Sequence, residues 1–199
     1  METSKNNILT REQWLQNAVV AMEPLFKEKG YKIPAVRVSC GWPSTGTRGK
    51  CPSIGEAWPK QAASDKVAQL FISPVLKDES DPCGVLATLV HEVVHAVVGN
   101  ENKHNKVFGK CARSVGLEGK LTATSAGEEL TVSMKTWTAK LGNYPHAALK
   151  MGMRPTKKQT TRMLKCVCAE CGYTVRTSQK WLDVGVPSCP CNNSPMEVK

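Results

Sequence analysis

The stretch HEVVH, residues 91–95, places two histidines four residues apart, with a glutamate directly after the first. Four residues make slightly more than one turn of an α-helix, so His91 and His95 project from one face and can bind a single ion. Glu92 lies beside them, where a carboxylate can take a proton from a water molecule on that ion. The pattern therefore predicts zinc-assisted peptide hydrolysis with Glu92 as the catalytic base.

The residues around this motif are almost entirely apolar, and valines and leucines fill most positions from 85 to 98. Asp81 and Pro82 have the form of an N-cap and first turn, and Gly99 fits the C-terminal end, so the segment is predicted to be a buried helix. Unpaired imidazoles and a carboxylate there would cost several kcal/mol, whereas a bound metal accounts for all three. Structural histidines are the alternative interpretation of so short a motif.

A catalytic zinc needs a third protein ligand as well as an open position. His104 is the nearest candidate, because the loop after the motif helix can fold it back over the metal. The competing candidates are the downstream carboxylates of Glu118, Glu128 and Glu129. His104 is preferred, since Ser125 and Glu128 have capping-box spacing, which offers Glu128 a different role.

Four cysteines near the end of the sequence have metal-site spacing, C-x-x-C-G followed by C-x-C: Cys168, Cys171, Cys189 and Cys191. Four thiolates suit a tetrahedral structural zinc, and so small a module would depend on the metal to fold. Cys166 is an alternative member of the quartet, and free or redox-active cysteines are the alternative interpretation. With the first site, this predicts two zinc ions per chain. The other cysteines share no spacing and are predicted to be buried or incidental thiols: Cys40, Cys51, Cys83 and Cys111.

The chain of 199 residues carries a formal net charge of +10, and residues 150–180 hold eight basic side chains against one acid, Glu170. So basic a surface favours a polyanionic partner, with nucleic acid as the leading candidate and a merely solvated surface as the alternative. Trp181 is predicted to serve the small core of the cysteine-rich module rather than to stack on bases. The predicted nucleic-acid contacts are Lys157, Lys158, Arg162, Arg176 and Lys180.

The remaining pattern predicts an α+β fold around one core. Thr10 and Gln13 form a capping box at the start of an amphipathic helix. This helix is predicted to extend up to Gly30 and to be interrupted by Pro24. A small sheet of about three strands is predicted from residues 35–40, 54–58 and 68–73. Further helices are predicted over residues 105–115 and from Ser125 to Gly142.

The order of these parts resembles the SprT-like (Spartan-type) zinc peptidases. The resemblance rests on HEVVHA, on His104 followed four residues later by Phe108, and on the C-terminal zinc-ribbon pattern, over roughly residues 8–196. Asn105 stands where the family often has glycine. Carried over by position, the resemblance implies zinc ligation by the three histidines and a base role for Glu92.

The resemblance also implies a minimal zincin-like metallopeptidase domain, in which an edge strand holds the substrate extended beside the metal. Residues 69–73 are our candidate for that strand, and an internal strand is the alternative interpretation of this run. The expected organisation is the peptidase domain at 8–149, a basic linker at 150–165 and a zinc ribbon at 166–199.

The implied activity is zinc-dependent endopeptidase cleavage of proteins associated with or crosslinked to DNA, with single-stranded DNA as the partner. A non-proteolytic zinc-containing nucleic-acid-binding protein acting in transcription and a DNA-independent peptidase are the alternatives. No apolar stretch approaches the ~18 residues of a membrane span and the start has no signal-peptide pattern, so we expect a cytoplasmic, DNA-associated protein without membrane contact. Tyr144 is a candidate to stabilise the oxyanion, and His146 is expected to be an ordinary loop histidine.

Overall fold

The computed structural model describes residues 9–44, 53–76, 83–150 and 163–199. The chain divides into two compact units, Met1–Gly152 and Met153–Lys199, and each is described by itself. Helices and small sheets are mixed along the chain, so the predicted α+β class is confirmed.

The elements of the first unit agree with most of the predicted pattern, and a short hairpin is added to it. They are α1 (Arg11–Glu28), β1 (Val36–Cys40), β2 (Gly55–Trp58), β3 (Ala68–Ile72), α2 (Cys83–Val98), α3 (Lys106–Ser114), β4 (Leu117–Lys120), β5 (Ala123–Ala126) and α4 (Glu128–Leu141). The second unit contains β6 (Leu164–Val167), β7 (Thr174–Thr177), α5 (Gln179–Leu182) and β8 (Glu197–Val198). Short 3-10 turns occupy Lys60–Ala62 and Asn100–Asn102.

Helix α1 begins at the predicted capping box. The Thr10 hydroxyl accepts the Gln13 amide hydrogen at 3.2 Å, and the Gln13 side chain accepts the Thr10 amide hydrogen at 2.8 Å. Two amide groups that the helix itself leaves unpaired are satisfied in this way. The helix runs through Pro24 and ends at Glu28. Its buried face enters the core of the first unit through Trp14, Leu15, Ala18, Val19, Met22 and Phe26.

The three-stranded sheet has the order β1-β3-β2, with β1 parallel and β2 antiparallel to β3. The choice of residues 69–73 as an edge strand was therefore wrong and the alternative of an internal strand is confirmed, because β3 lies in the middle. The physical reason is that the alternating buried residues of β3, Ala68, Leu70 and Ile72, indicate which face of the sheet is covered and not which strands pair beside it. Strand β2, which carries glycine and glutamate, occupies one edge, and β1 occupies the other.

Helix α2 lies in the core, as its apolar sequence predicts. Its side chains at Val85, Leu86, Leu89, Val90, Val93 and Val94 are fully buried. It contacts α1, α3, β2 and β3, so the helix that carries the HEVVH motif is fixed from several sides. None of the helices within the described ranges is both long enough and apolar enough to cross a membrane.

The predicted capping box at Ser125 and Glu128 is absent. Ser125 lies in β5, where it pairs with Glu118 of β4, and α4 begins at Glu128 after Gly127 without a side-chain cap. Because the backbone of Ser125 is paired in this hairpin, Ser125 cannot act as the N-cap of α4. Gly116 starts this hairpin at a φ of 89°, and an added Cβ there would lie 2.9 Å from Leu130.

The second unit is a three-stranded antiparallel sheet of order β7-β6-β8. Its small core contains Cys166, Cys168, Cys189 and Met196, with Val175 and Leu182 packed against it. Trp181 is 59% exposed, so its prediction as a core residue was wrong. The single turn of α5 directs Leu182 to the core, which leaves the neighbouring tryptophan in solvent.

Candidate functional site

Three histidine side chains converge in the first unit. His91 and His95 lie one turn apart on α2, and His104 reaches them from the loop before α3. The Nε2 atom of His104 is 3.2 Å from Nε2 of His91 and 3.2 Å from Nε2 of His95. The predicted trio is therefore brought together, with ligand atoms within 4.8 Å of one another.

These separations fit a zinc ion. Zn–N bonds of 2.0–2.1 Å at tetrahedral angles put ligand nitrogens about 3.3 Å apart. Hydrogen bonds alone would satisfy the cluster poorly, because a neutral His104 ring offers only one proton or one lone pair at Nε2, yet it faces two nitrogens. A cation accepts all three lone pairs at once, so the donor set matches the metal that the motif predicts.

The electrostatics of the cluster favour neutral imidazoles. Burial, followed by the charge of His104, lowers the pKa of His91 to about 4. Burial, followed by the charges of His91 and His104, lowers the pKa of His95 to about 3. Burial also lowers the pKa of His104. The three rings therefore keep lone pairs available for a metal at neutral pH.

The loop that delivers His104 is held at both ends. Gly99 ends α2 at a φ of 90°, and the Asn102 side chain donates to the Val98 carbonyl at 2.7 Å. Asn105 then caps α3, because its side chain accepts the Val107 amide hydrogen at 2.8 Å and the Phe108 amide hydrogen at 3.3 Å. The residue that departs from the family pattern therefore has a structural role of its own.

Phe108 packs against all three imidazoles. Its ring centroid lies 5.0 Å from that of His91, 4.5 Å from that of His95 and 4.9 Å from that of His104. The phenylalanine is fully buried, so it forms an apolar floor that limits how far the rings can turn. The spacing of His104 and Phe108 in the sequence thus corresponds to a direct packing contact.

No sequence pattern indicated a role for Thr124. Its hydroxyl lies 2.8 Å from Nδ1 of His91, on the side of the ring away from the cluster. Thr124 belongs to β5, in the hairpin that was not predicted. No Asn-Gly or Asp-Gly pair marks the turn between Lys120 and Ala123, so the usual sequence signal for a hairpin is missing.

Glu92 is buried, with only 6% of the residue exposed. No hydrogen-bond donor among the described residues reaches its carboxylate. Burial, followed by the charge of Glu56, raises the pKa of Glu92 to about 8. Gly55 of β2 approaches it so closely that an added Cβ would overlap the carboxylate. The edge strand β2 therefore lies against the predicted base, Glu92.

The competing ligands for the first site lie elsewhere. Glu118 is exposed on β4, and Glu128 and Glu129 are exposed in the first turn of α4. The group of metal-capable side chains containing His91 and His95 has His104 as its third member within the described residues.

Tyr144 and His146 have structural surroundings. His146 is buried and has Nε2 2.9 Å from the Pro74 carbonyl and Nδ1 3.3 Å from an Arg11 guanidinium nitrogen. The Tyr144 ring packs 5.0 Å from that of Trp14. Burial, together with Cys40, raises the pKa of its hydroxyl well above the usual value. These contacts place Tyr144 in the core, and none of them joins it to the histidine cluster.

The four predicted cysteine ligands also converge. Their sulfur atoms lie 3.8 Å apart for Cys168 and Cys191, 3.5 Å for Cys171 and Cys189, and 3.3 Å for Cys189 and Cys191. Zn–S bonds of about 2.3 Å at tetrahedral angles put sulfurs about 3.8 Å apart. Cys166 is fully buried in β6 and is not a member of this group.

The two cysteine pairs share one backbone arrangement despite their different spacing. The Gly172 amide donates to the Cys168 carbonyl at 3.0 Å, and the Asn193 amide donates to the Cys189 carbonyl at 2.8 Å. Gly172 and Asn193 both have positive φ, at 73° and 55°. Amides of Cys171 and Glu170 hydrogen-bond the Cys168 sulfur and lower its pKa to about 7, which favours the thiolate.

The other cysteines do not form a group in the described part of the chain. Cys111 is buried, which raises its pKa to about 11, and Cys40 is half-buried. Cys51 and the side chain of Cys83 lie outside what the structure describes.

The predicted nucleic-acid contacts are only partly covered by the structure. Arg176 lies on β7 directly opposite Lys165 of β6, and both are exposed. The Lys180 ammonium lies 5.2 Å from the centre of the exposed Trp181 ring. Lys157, Lys158 and Arg162 lie outside the described residues.

The seven predicted metal ligands thus make up the two groups of metal-capable side chains found within the described ranges. Both groups have donor spacings compatible with zinc. Comparisons with family models, curated proteins and solved structures gave no match for this chain.

Proposed function

We propose that the chain is a zinc-dependent endopeptidase of the SprT-like, zincin-like kind. In this proposal His91, His95 and His104 hold the metal, and Glu92 is the base. The observation that carries the proposal is the convergence of three imidazole nitrogens on a helix that carries the buried carboxyl group of Glu92 directly after His91. A structural zinc would be closed by a fourth protein ligand, whereas three ligands leave a position for water or substrate. The described cluster offers three.

Zinc in such a site supplies a Lewis acid that polarises the scissile carbonyl and lowers the pKa of water. Glu92 accepts the proton of the attacking water and passes it to the leaving amine. Burial raises the pKa of Glu92 in the metal-free protein, and a nearby cation favours the ionised form, which is the form that accepts a proton. Phe108 keeps the imidazoles packed while the proton moves.

The edge strand β2 supports extended binding of the substrate. The Ser73 amide donates to the Ile54 carbonyl at 2.9 Å, so the alternation of an antiparallel pair turns the main-chain groups of Gly55 and Ala57 to the edge. The Asn100 side chain donates to the Ala57 carbonyl at 2.5 Å on that side. A polypeptide added beside Gly55 would pass close to Glu92.

The second unit supports binding to DNA. Lys165 and Arg176 are like charges directly opposite each other, an arrangement that costs stability unless an anion lies between or above them. Lys180 and the exposed Trp181 add a charge and an aromatic face, the combination that binds single-stranded nucleic acid. We propose that this zinc ribbon recruits the enzyme to proteins associated with or crosslinked to DNA.

The test is Glu92→Gln, which removes the base and keeps the size of the side chain. We expect cleavage of an unfolded protein in the presence of single-stranded DNA to fall about 10²–10⁴-fold, with zinc content and DNA affinity retained. Glu128→Gln changes an exposed carboxylate and should leave cleavage at the wild-type rate. Wild-type cleavage by Glu92→Gln would overturn the peptidase proposal.

A non-proteolytic nucleic-acid-binding protein is the second candidate, favoured by the cysteine quartet and the Lys180–Trp181 surface, neither of which needs catalysis. Cleavage assays with and without single-stranded DNA, at two salt concentrations, separate the possibilities. DNA-dependent cleavage should fall steeply with salt, because phosphate contacts release counterions. Salt-insensitive cleavage would indicate a DNA-independent peptidase, and DNA binding without cleavage would favour the second candidate.

A further inference from the structure

A cavity of about 260 Å³ lies on the outer face of the three-stranded sheet, opposite the core. The strand register pairs Glu56 with Phe71 and Trp58 with Gln69, which places these four side chains on one face. Leu70 and its buried neighbours in β3 point to the other face. Trp42 and Ser44 complete the aromatic and polar lining.

Glu56 is held in a defined position within this cavity. The Ser44 amide donates to one carboxylate oxygen at 2.7 Å, the Ser44 hydroxyl donates to the other at 2.5 Å, and the Trp58 side chain also hydrogen-bonds it. Burial acts to raise the pKa of Glu56, but these hydrogen bonds outweigh it and hold the pKa below its usual value. The group is therefore an oriented carboxylate at neutral pH.

This carboxylate has no ion-pair partner among the described residues. Arg37 lies on the same face of the sheet, but its guanidinium pairs with Asp65 at 2.5 Å. The chain as a whole carries a net charge of +10, whereas within residues 9–44, 53–76, 83–150 and 163–199 no basic side chain pairs with this oriented acid. A carboxylate held in this way attracts a cation.

The aromatic lining favours the same kind of ligand. Trp58 is 41% exposed, and Phe71 is half-buried. Aromatic faces next to a carboxylate attract ammonium and guanidinium groups through their quadrupoles, while the hydrocarbon stem packs on the rings. The base of a nucleotide would stack equally well, but its phosphate would be repelled by Glu56 and would meet no basic side chain among the described residues of the lining.

The position of the cavity relates it to the proposed active site. Glu56 follows Gly55, the residue that lies against Glu92. A substrate strand added to the edge of β2 would carry alternate side chains onto the outer face of the sheet, where the cavity opens. A side chain bound there would lie within a few residues of the bond next to Glu92.

We propose that this cavity binds the side chain of a lysine or arginine of the protein substrate, close to the cleaved bond. Its placement next to cleavage rests on the proposed peptidase function, whereas recognition of the cation rests on the Glu56 pocket alone. The recognition of the cation and its placement next to the cleaved bond can therefore fail separately.

The binding test uses full-length zinc-loaded Glu92→Gln protein, so that peptides are not consumed. Alanine-based peptides with one central lysine, arginine or norleucine are compared by fluorescence anisotropy. We expect the charged peptides to bind about tenfold more tightly than the norleucine peptide. Adding Glu56→Gln should bring this ratio close to one, while adding Glu23→Gln, an exposed carboxylate on α1, should leave it in place.

Equal binding of the three peptides, or a preference that survives Glu56→Gln, would overturn the proposal. Displacement of the lysine peptide by guanosine monophosphate, lost in the Glu56→Gln background, would assign the pocket to a nucleotide and overturn it as well. If Glu56→Gln lowers the melting temperature, Phe71→Leu probes the same pocket from its aromatic side and should reduce the ratio.

Mapping of cleavage sites by mass spectrometry then tests the placement. The wild-type enzyme should cut unfolded proteins with lysine or arginine enriched at a fixed distance from the cleaved bond, and Glu56→Gln should lose that enrichment. Cleavage without enrichment would overturn the placement and leave the peptidase proposal standing. Charge-selective peptide binding without any cleavage would instead refute the peptidase proposal and support the pocket.

Discussion

Nδ1 of His91 lies 2.8 Å from the hydroxyl of Thr124, so a residue 33 positions later in the chain orients the first predicted metal ligand. When Nδ1 donates its hydrogen to that oxygen, Nε2 presents its lone pair to the other histidines. Partners of this kind fix both the ring and its tautomer in metal sites. The β4–β5 hairpin is therefore a supporting element of the site.

Thr124→Val should weaken zinc binding at the histidine site about 10–100-fold, because the isosteric valine removes the oxygen but preserves the packing. Thr124→Ser keeps the hydroxyl and should retain near wild-type affinity. Competition with a fluorescent zinc chelator measures both values. Equal affinities for the valine and serine variants would show that the contact does not orient the ligand.

Gly55→Ala should impair cleavage without removing zinc. The added methyl group overlaps the Glu92 carboxylate and must displace it, and a displacement of about 1 Å from the reacting atoms can cost about 10²-fold in rate. Gly84→Ala is the matched control, since an added Cβ there has nothing within 4 Å. Single-turnover cleavage rates and the zinc content of both variants measure this effect. A wild-type rate for Gly55→Ala would contradict the proposed role of Glu92 at this edge.

The buried carboxyl of Glu92 should make the stability of the metal-free protein depend on pH. Its folded pKa of about 8 lies above the ordinary value of 4.5, so its contribution to stability is fully present below pH 4.5 and is lost as the pH rises towards 8. Glu92→Gln does not ionise and should therefore gain stability over the wild type as the pH rises.

Thermal unfolding of both chelator-treated proteins at pH 5 and pH 8 measures this effect. The melting temperature of Glu92→Gln should exceed that of the wild type by more at pH 8, with a difference of a few kcal/mol in unfolding free energy. The lowered pKa values of His91 and His95 act equally on both proteins and cancel. The same difference at both pH values would contradict the burial of the carboxyl.

Zinc content should separate the two metal sites. We expect two zinc ions per chain, one lost with His91→Ala and the other with Cys191→Ser. Cys166→Ser should keep both ions, because that thiol lies in the core of the second unit outside the quartet, although the buried hydroxyl should lower stability. Elemental analysis of the purified variants gives the counts. Loss of an ion in Cys166→Ser would show that Cys166 is a ligand.

Trp181→Ala should weaken binding of single-stranded DNA by about 1–3 kcal/mol, the cost of losing one stacking platform. The side chain is 59% exposed, so the melting temperature should change little. Val184→Ala, at another exposed position in the same unit, is the control. Anisotropy titrations with a labelled oligonucleotide measure both affinities. Unchanged binding by Trp181→Ala would place the DNA surface elsewhere.

Local sequence was sufficient to predict the elements whose signals are local. The HEVVH motif, the apolar pattern of α2 and the capping box at Thr10 depend on helical spacing alone. The cysteine pairs follow from two short backbone turns, so their members could be chosen from spacing. His104 could also be predicted from the sequence, because few residues separate it from α2.

Tertiary structure decided the features that depend on distant strands. Which strand lies at an edge follows from how β1, β2 and β3 pair. The sequence of one strand does not determine which distant strand it pairs with. Thr124 contacts His91 only because the β4–β5 hairpin folds against α2, and the same hairpin removes the expected cap at Ser125. Helix periodicity depends on residues that are close together along the chain. Strand order, the exposure of an edge strand and the hydrogen-bond partner of a metal ligand depend instead on residues that only tertiary packing brings together.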